Sequence, residues 1–132
     1  MTEKEMTIRE MCDAYDVTAR TLRFYEAKEL LFPVREGQKR LFTKRDRARL
    51  TLILRGKRFG FSLEKIRQLL DLYDTDGGES IQLEATLDAA EDRLAEMVAQ
   101  RDELALAINE LQNQIEWGRD AIAARHNKEA AE

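Results

Sequence analysis

Arginine, lysine and aromatic side chains alternate between Thr18 and Asp46, in the stretch TARTLRFYEAKELLFPVREGQKRLFTKRD. Guanidinium and ammonium groups bind phosphate oxygens, and arginine also pairs with guanine edges in the major groove. From Arg35 to Arg67 the sequence holds 12 Lys or Arg against 3 Asp or Glu, although the whole chain has a net charge of −4. A basic stripe on an acidic chain is typical of a nucleic-acid-binding surface. The alternative is a charged, solvated surface without a partner.

Other residues that carry chemistry are scarce. The single histidine, His126, lies near the end of the chain, and the single cysteine, Cys12, falls on the apolar face of the first predicted helix. For Cys12 a core position is favoured over redox sensing. Acidic pairs such as Glu91–Asp92 fall on helix positions typical of a solvated face. The sequence therefore lacks the residues that form a catalytic triad or a histidine metal site. We expect no enzymatic activity, no metal and no cofactor.

The composition favours a mainly helical, soluble protein, with one Pro in 132 residues and 36% charged residues. No apolar run approaches the roughly 20 residues that span a bilayer, and the N-terminus lacks the apolar core of a signal peptide. A single cysteine cannot form an intramolecular disulfide. We therefore expect a cytoplasmic protein that makes no membrane contact.

Capping residues divide the first part of the chain into short helices. Thr7 and Glu10 form a capping-box pattern for a first helix that ends near Asp16. Thr18 is the N-cap of a second helix that runs from about residue 19 to 29. Two short helices separated by about three residues are typical of a helix-turn-helix.

A hairpin and two further helices are predicted next. Pro33 stops helix formation, and residues 36–38 (EGQ) are a tight-turn signal between apolar segments, which predicts a two-stranded wing. Thr43 begins a third helix that Gly60 closes, and Ser62 caps a fourth. The chain therefore begins with a winged helix-turn-helix.

The second helix is the predicted recognition helix. Its spacing places Arg20 and Arg23 on one face, where they suit contact with guanine edges or phosphates, while Glu26 points away. Tyr25 lies between the faces, so that its ring can pack while its hydroxyl points outward. The tip of the wing carries a second basic group, which consists of Arg35, Lys39 and Arg40.

A heptad repeat follows the segment TDGGES at residues 75–80. With Leu87 as position a, apolar residues alternate by four and three without a break, which is typical of a coiled coil. At 1.5 Å per residue, roughly 40 residues form a rod of about 60 Å. This rod is too long to bury its seam on the preceding winged helix-turn-helix, which we call the head. Self-association is therefore predicted. The seam comprises Leu83, Leu87, Leu94, Met97, Arg101, Leu104, Ile108, Leu111 and Ile115.

Arg101 occupies an a position in the middle of this seam. In a parallel dimer it would face its own copy, and the two like charges would repel. In an antiparallel pair Arg101 lies over Leu104 of the other helix and can extend its guanidinium to water. The sequence therefore predicts an antiparallel coiled coil.

The recognition helix TLRFYE, the wing ending in RLF and the later run GFSLEKIRQLLDLY resemble the MerR family of bacterial transcription regulators over residues 6–75. The resemblance implies a homodimer on a pseudo-palindromic promoter site, which bends and untwists the spacer so that RNA polymerase engages both promoter elements. It also implies that Arg20, Arg23 and Tyr25 contact DNA from the helix and Arg40 from the wing. Within the family, the chain resembles short regulators of branched-chain amino-acid or acyl-CoA catabolism.

The resemblance has two departures, since Lys39 stands where many relatives carry an aromatic residue and Phe42 replaces a common tyrosine. We expect no effector domain after the long helix, and the identity of any small-molecule effector stays open. A ligand would lie between the head and the helix.

The predicted architecture is mainly α: a winged helix-turn-helix DNA-binding domain at 1–75, a linker at 76–80, a coiled-coil dimerisation helix at 81–124 and a frayed tail at 125–132. The predicted contacts to double-stranded promoter DNA are Arg20, Arg23, Tyr25, Arg35, Lys39 and Arg40. Two alternatives remain open at this point. One is a DNA-bending accessory factor similar to excisionases, and the other is a coiled-coil adaptor that binds no DNA.

Overall fold

The computed structural model describes residues 4–72 and 77–131. The elements in order are β1 (Met6–Thr7), α1 (Ile8–Tyr15), α2 (Ala19–Ala27), β2 (Val34–Glu36), β3 (Lys39–Phe42), α3 (Lys44–Phe59), α4 (Leu63–Leu72) and α5 (Gly78–Ala131). The chain divides into two compact units between Leu87 and Asp88. The predicted mainly α fold, with a helix-turn-helix, a wing and a long final helix, is confirmed.

Side-chain caps set where the short helices begin. The Thr7 hydroxyl accepts the Glu10 N–H at 3.2 Å, and the Glu10 carboxylate accepts the Thr7 N–H at 3.0 Å. Thr18 accepts the Thr21 N–H at 3.1 Å, which starts α2. Gly60 ends α3 in the left-handed conformation with φ 86°, which a residue without a side chain adopts at little cost. These local signals explain why the helix starts were predictable.

The described residues form a three-stranded antiparallel sheet in the order β1-β3-β2. The predicted wing is the β2–β3 hairpin, in which Arg35 lies opposite Arg40. Gly37 occupies its turn with φ 63°. Strand β1 was not predicted; it is only two residues long and pairs Met6 with Phe42. This short strand anchors the base of the wing to the start of α1.

The core of the head is formed by helices α1, α2, α3 and α4 together with the wing and the segment before it. Gly56 allows α3 and α4 to approach closely, because a Cβ at this position would lie 2.8 Å from Cγ1 of Ile66. The described residues that form the core are Met11, Leu22, Tyr25, Leu30, Leu31, Phe42, Leu50, Ile53, Ile66 and Leu70. Cys12 is partly buried and packs against this core, which agrees with the favoured prediction.

Helix α5 is longer than predicted at both ends. It begins at Gly78, inside the predicted linker 76–80, of which residue 76 lies outside the described residues. It also continues through residues 125–131, the described part of the tail predicted at 125–132. The reason is local, because the tail contains no Pro or Gly and is rich in strong helix formers such as Ala, Glu and Lys.

The predicted seam lies entirely on α5, and its residues are largely exposed in the single chain. Leu83 is 71% exposed and Leu104 is 61% exposed. Within the described part of the chain, no helix is both long and apolar enough to cross a membrane.

Candidate nucleic-acid interface

Helix α2 has one exposed face and one buried face. Leu22 and Tyr25 are buried in the head, whereas Arg20, Arg23 and Phe24 are exposed. Both arginines lie in the first half of the helix, on the side opposite the core. Their guanidinium groups can therefore reach a phosphate or a guanine edge without disturbing the packing of the helix.

Tyr25 is only 5% exposed, so most of its ring belongs to the core. The prediction that Tyr25 contacts DNA therefore rests on its hydroxyl alone. Burial raises the pKa of this hydroxyl above its ordinary value of 10.0. The neutral phenol is thus the form present near neutral pH, and a neutral phenol can donate a hydrogen bond to a phosphate oxygen.

The wing carries the second group of cations. Arg35 and Lys39 are exposed on β2 and β3, and the side chain of Arg40 is 22% exposed. Arg35 and Arg40 are cross-strand neighbours, and both extend toward the same residue of α2. Like charges directly opposite each other in a sheet repel, so an anion between them stabilises this pairing.

Glu26 is that anion. Its carboxylate accepts from Arg40 Nε at 2.6 Å and from Arg35 Nη2 at 3.0 Å. Burial alone would raise the pKa of the Glu26 carboxyl, but the hydrogen bonds and charges of Arg40 and Arg35 outweigh it and hold this pKa below 4.5. Glu26 therefore stays ionised near neutral pH and fixes the wing to the recognition helix.

This role of Glu26 was not predicted, because the helical spacing places Glu26 facing away from the recognition surface. The side chain is 20% exposed and lies between the helix and the wing. One signal could have revealed it, since Glu26 is the sole acidic residue of the α2 sequence ARTLRFYEA, between the arginines of α2 and those of the wing.

Not all of the basic stripe faces solvent. Arg47, Arg49 and Arg67 each donate a hydrogen bond to a backbone carbonyl of a distant segment that lies outside the helices and strands. Arg49 is 5% exposed, and its guanidinium lies 5.3 Å from the centre of the Phe32 ring. These three arginines hold the head together, and the charge available for phosphate is smaller than the sequence count indicates. Their carbonyl partners are Lys4, Leu30 and Lys28, respectively.

Glu26→Gln is expected to lower the ratio of affinities for target and scrambled DNA about tenfold. The substitution removes the charge that orients two wing arginines, and hydrogen bonds to charged groups contribute about 1.5–3 kcal/mol each. Fluorescence anisotropy with a duplex from the protein's own upstream region and with a scrambled duplex measures this ratio.

Glu29→Gln is the matched control, because Glu29 is exposed and the substitution changes net charge equally. Both variants remove one negative charge near the DNA, so their affinities for scrambled DNA should rise alike. An unchanged affinity ratio in Glu26→Gln would show that Glu26 does not position the wing.

Two family profiles match this chain. Residues 6–72 match the profile for the MerR HTH family regulatory protein, and residues 47–114 match the profile named MerR, DNA binding. The HTH-type transcriptional regulator ZntR of Escherichia coli (strain K12) is 42% identical over 67 residues, which cover 49% of this chain and 48% of ZntR. The match thus spans about half the length of that curated relative.

Solved structures agree with this assignment. The structure of HiNmlR, a MerR family regulator lacking the sensor domain and bound to promoter DNA, has a TM-score of 0.59 and 25% identity, over 80% of this chain and 79% of that chain. A MerR family regulator from Bacillus cereus has a TM-score of 0.50 and 34% identity, over 75% of this chain and 78% of that chain. The protein described here belongs to the MerR family of helix-turn-helix transcriptional regulators.

Proposed function

We propose that this protein binds promoter DNA as an antiparallel homodimer and regulates transcription by bending and untwisting the promoter spacer. The observation that carries the proposal is the joined cationic surface of α2 and the wing, which Glu26 holds together. HiNmlR, whose structure is similar, was solved on promoter DNA. A coiled-coil adaptor that binds no DNA would leave this surface without a purpose.

The cationic side chains divide into two kinds of DNA contact. Arg20 and Arg23 are exposed on the recognition helix. In the proposed complex they enter the major groove and contact base edges or the phosphates that border the groove. Arg35, Lys39 and Arg40 lie on the wing and contact phosphates, which position a protein without reading sequence. The Tyr25 hydroxyl adds a phosphate contact at the edge of the core.

The exposed seam of α5 supports self-association. Leu94 is 60% exposed, Leu111 is 61% exposed and Ile115 is 45% exposed, and these residues recur at heptad spacing. A continuous apolar stripe of this length is unusual on a monomeric protein and indicates an interface. In the proposed dimer a second α5 covers it, as in a coiled coil.

Arg101 decides the direction of the two helices. Its side chain is 72% exposed in the single chain, and its guanidinium contacts Asp102 at 3.1 Å. A parallel dimer would place two copies of Arg101 against each other at the seam, whereas an antiparallel dimer places Arg101 beside Leu104 with its charge at the edge. The antiparallel pair therefore avoids a buried repulsion.

Disulfide cross-linking tests the direction of the helices. In a Cys12→Ala background, a mixture of Leu87→Cys and Gly118→Cys chains should form a disulfide-linked heterodimer under mild oxidation. Leu87→Cys chains alone should form little, because antiparallel packing separates the two copies of this position. Efficient cross-linking of Leu87→Cys alone would instead show a parallel coiled coil.

The proposed mechanism requires two DNA-binding heads on one rigid dimer. Bending a site of 20–30 base pairs costs about 1–6 kcal/mol by elastic estimates, and the phosphate contacts of both heads must offset this cost. The bent and untwisted spacer then presents both promoter elements to RNA polymerase. Gel mobility of circularly permuted fragments measures the bend, and a straight complex would contradict this step.

A further inference from the structure

Helix α5 exposes a large aromatic side chain outside its seam. Trp117, the sole tryptophan of the sequence, is 70% exposed. With Leu87 as position a, Trp117 occupies a c position, roughly 130° from the middle of the seam at 100° per residue. A second helix packed on the seam alone would therefore leave the indole in water.

The head contains an open cavity of about 400 Å³ within the unit that ends at Leu87. Its exposed wall area is mainly apolar, and three cationic residues of α3 belong to its lining. A volume of this size is sufficient for an aromatic side chain or a small ligand. The lining residues are Lys44, Arg45, Ala48, Arg49, Leu52, Leu70 and Gln82.

We propose that this cavity receives Trp117 of a second copy of the chain. The inference rests on the antiparallel homodimer proposed above. Gln82, at the edge of the cavity, also occupies a c position on α5. When two helices pack antiparallel, residues at the same heptad position of the two helices lie on the same side of the pair. Gln82 of one copy and Trp117 of the other therefore share a side.

The predicted register brings the two positions close along the rod. With Leu87 opposite Gly118, Trp117 lies opposite Asp88 of the other helix, six residues from Gln82. Six residues correspond to about 9 Å along a helix at 1.5 Å per residue. The axial component of the separation between Gln82 of one copy and Trp117 of the other is therefore short compared with the rod of about 60 Å.

The residues that line the cavity suit an indole ring. Ala48, Leu52 and Leu70 offer apolar contact to the ring. Gln82 donates its side-chain Nε2–H to the Leu69 carbonyl at 2.8 Å, and the Oε1 of an amide side chain can accept a hydrogen bond from an indole N–H.

Charge complementarity favours the same occupant. Asp120 follows Trp117 by about one helical turn, and Lys44 and Arg45 are among the residues that line the cavity. In the proposed complex the indole enters the cavity and the carboxylate of Asp120 approaches these two cations. A second copy of this chain therefore supplies both the apolar and the charged half of the contact.

The single tryptophan makes a direct test available. Emission maximum and acrylamide quenching of the full chain are measured across a concentration series, alongside the oligomeric state by sedimentation velocity. As dimers form, emission should shift to the blue and quenching should fall several-fold. Ala48→Met, which fills the cavity at an exposed helix position, should still dimerise but keep Trp117 quenchable. Ala14→Met, at an exposed position of α1, is the matched control and should behave as the parent.

The outcomes separate this inference from the dimer proposal. Dimers whose Trp117 emission and quenching equal those of the monomer would overturn the inference and leave the dimer intact, with the cavity open to another ligand. A blue shift that survives in Ala48→Met would overturn it as well, since the indole would then be buried elsewhere. A chain that stays monomeric at every concentration would overturn the dimer proposal and the inference together.

Discussion

Between about 50 and 200 mM salt, affinity for the target duplex is expected to fall about 10³- to 10⁵-fold, because a dimer that neutralises roughly 6–10 phosphates releases their counterions. In the proposed complex each head contacts DNA through Arg20, Arg23, Arg35, Lys39 and Arg40, which are exposed or partly exposed. Two heads therefore supply a number of cations in this range. The arginines that donate to backbone carbonyls are not counted, because they already hold the head together.

The slope of log affinity against log salt gives the number of contacts directly. Lys39→Gln should reduce this slope by about 0.9 for each of the two lost phosphate contacts. Lys128→Gln, near the end of α5, removes the same charge outside the proposed interface and should leave the slope unchanged. Anisotropy titrations at several salt concentrations measure both. A flat salt response of the parent protein would exclude phosphate-based binding.

Asp46→Ala is expected to destabilise the head by about 2–4 kcal/mol, through loss of a helix cap and of a buried acceptor. The Asp46 side chain is only 2% exposed. Its carboxylate accepts the Thr43 N–H at 3.1 Å, which completes the capping box of α3, and the Phe32 N–H at 2.9 Å. The substitution would leave both backbone donors without this partner. Urea unfolding followed by circular dichroism measures the loss.

Two further variants define this effect. Asp46→Asn keeps the volume and one carbonyl acceptor, so its loss should lie between those of Asp46→Ala and the parent. Asp13→Ala, at an exposed position of α1, should change stability by less than about 0.5 kcal/mol. If Asp46→Ala were as stable as Asp13→Ala, the carboxylate would not connect α3 to the segment before the wing.

The elements with local signals were predictable from the sequence. Thr7, Thr18 and Thr43 start helices through contacts three residues away, and Gly60 ends one through its own backbone conformation. Such signals are complete within one turn of chain, so a sequence shows them directly. The heptad spacing of α5 is equally visible, because it depends on one helix alone.

Contacts between distant segments could not be predicted in the same way. Glu26 binds Arg40 fourteen residues later, and Asp46 binds Phe32 at the same separation, so both pairings depend on the folded head. Arg49 looked like part of a solvated stripe, yet it is buried against the Leu30 carbonyl at 2.7 Å. Charge counts do not distinguish cations that bind DNA from cations that satisfy the backbone.

The central claim is that α2 reads sequence while the wing holds phosphate. The most direct test titrates Arg23→Ala and Arg40→Ala against the upstream duplex and a set of its single-base variants. Arg23→Ala should lose about 1–3 kcal/mol of affinity for the upstream duplex, with discrimination relaxed at one base position in each half-site. Arg40→Ala should weaken binding to all duplexes alike. Equal, sequence-independent losses in both variants would contradict the account.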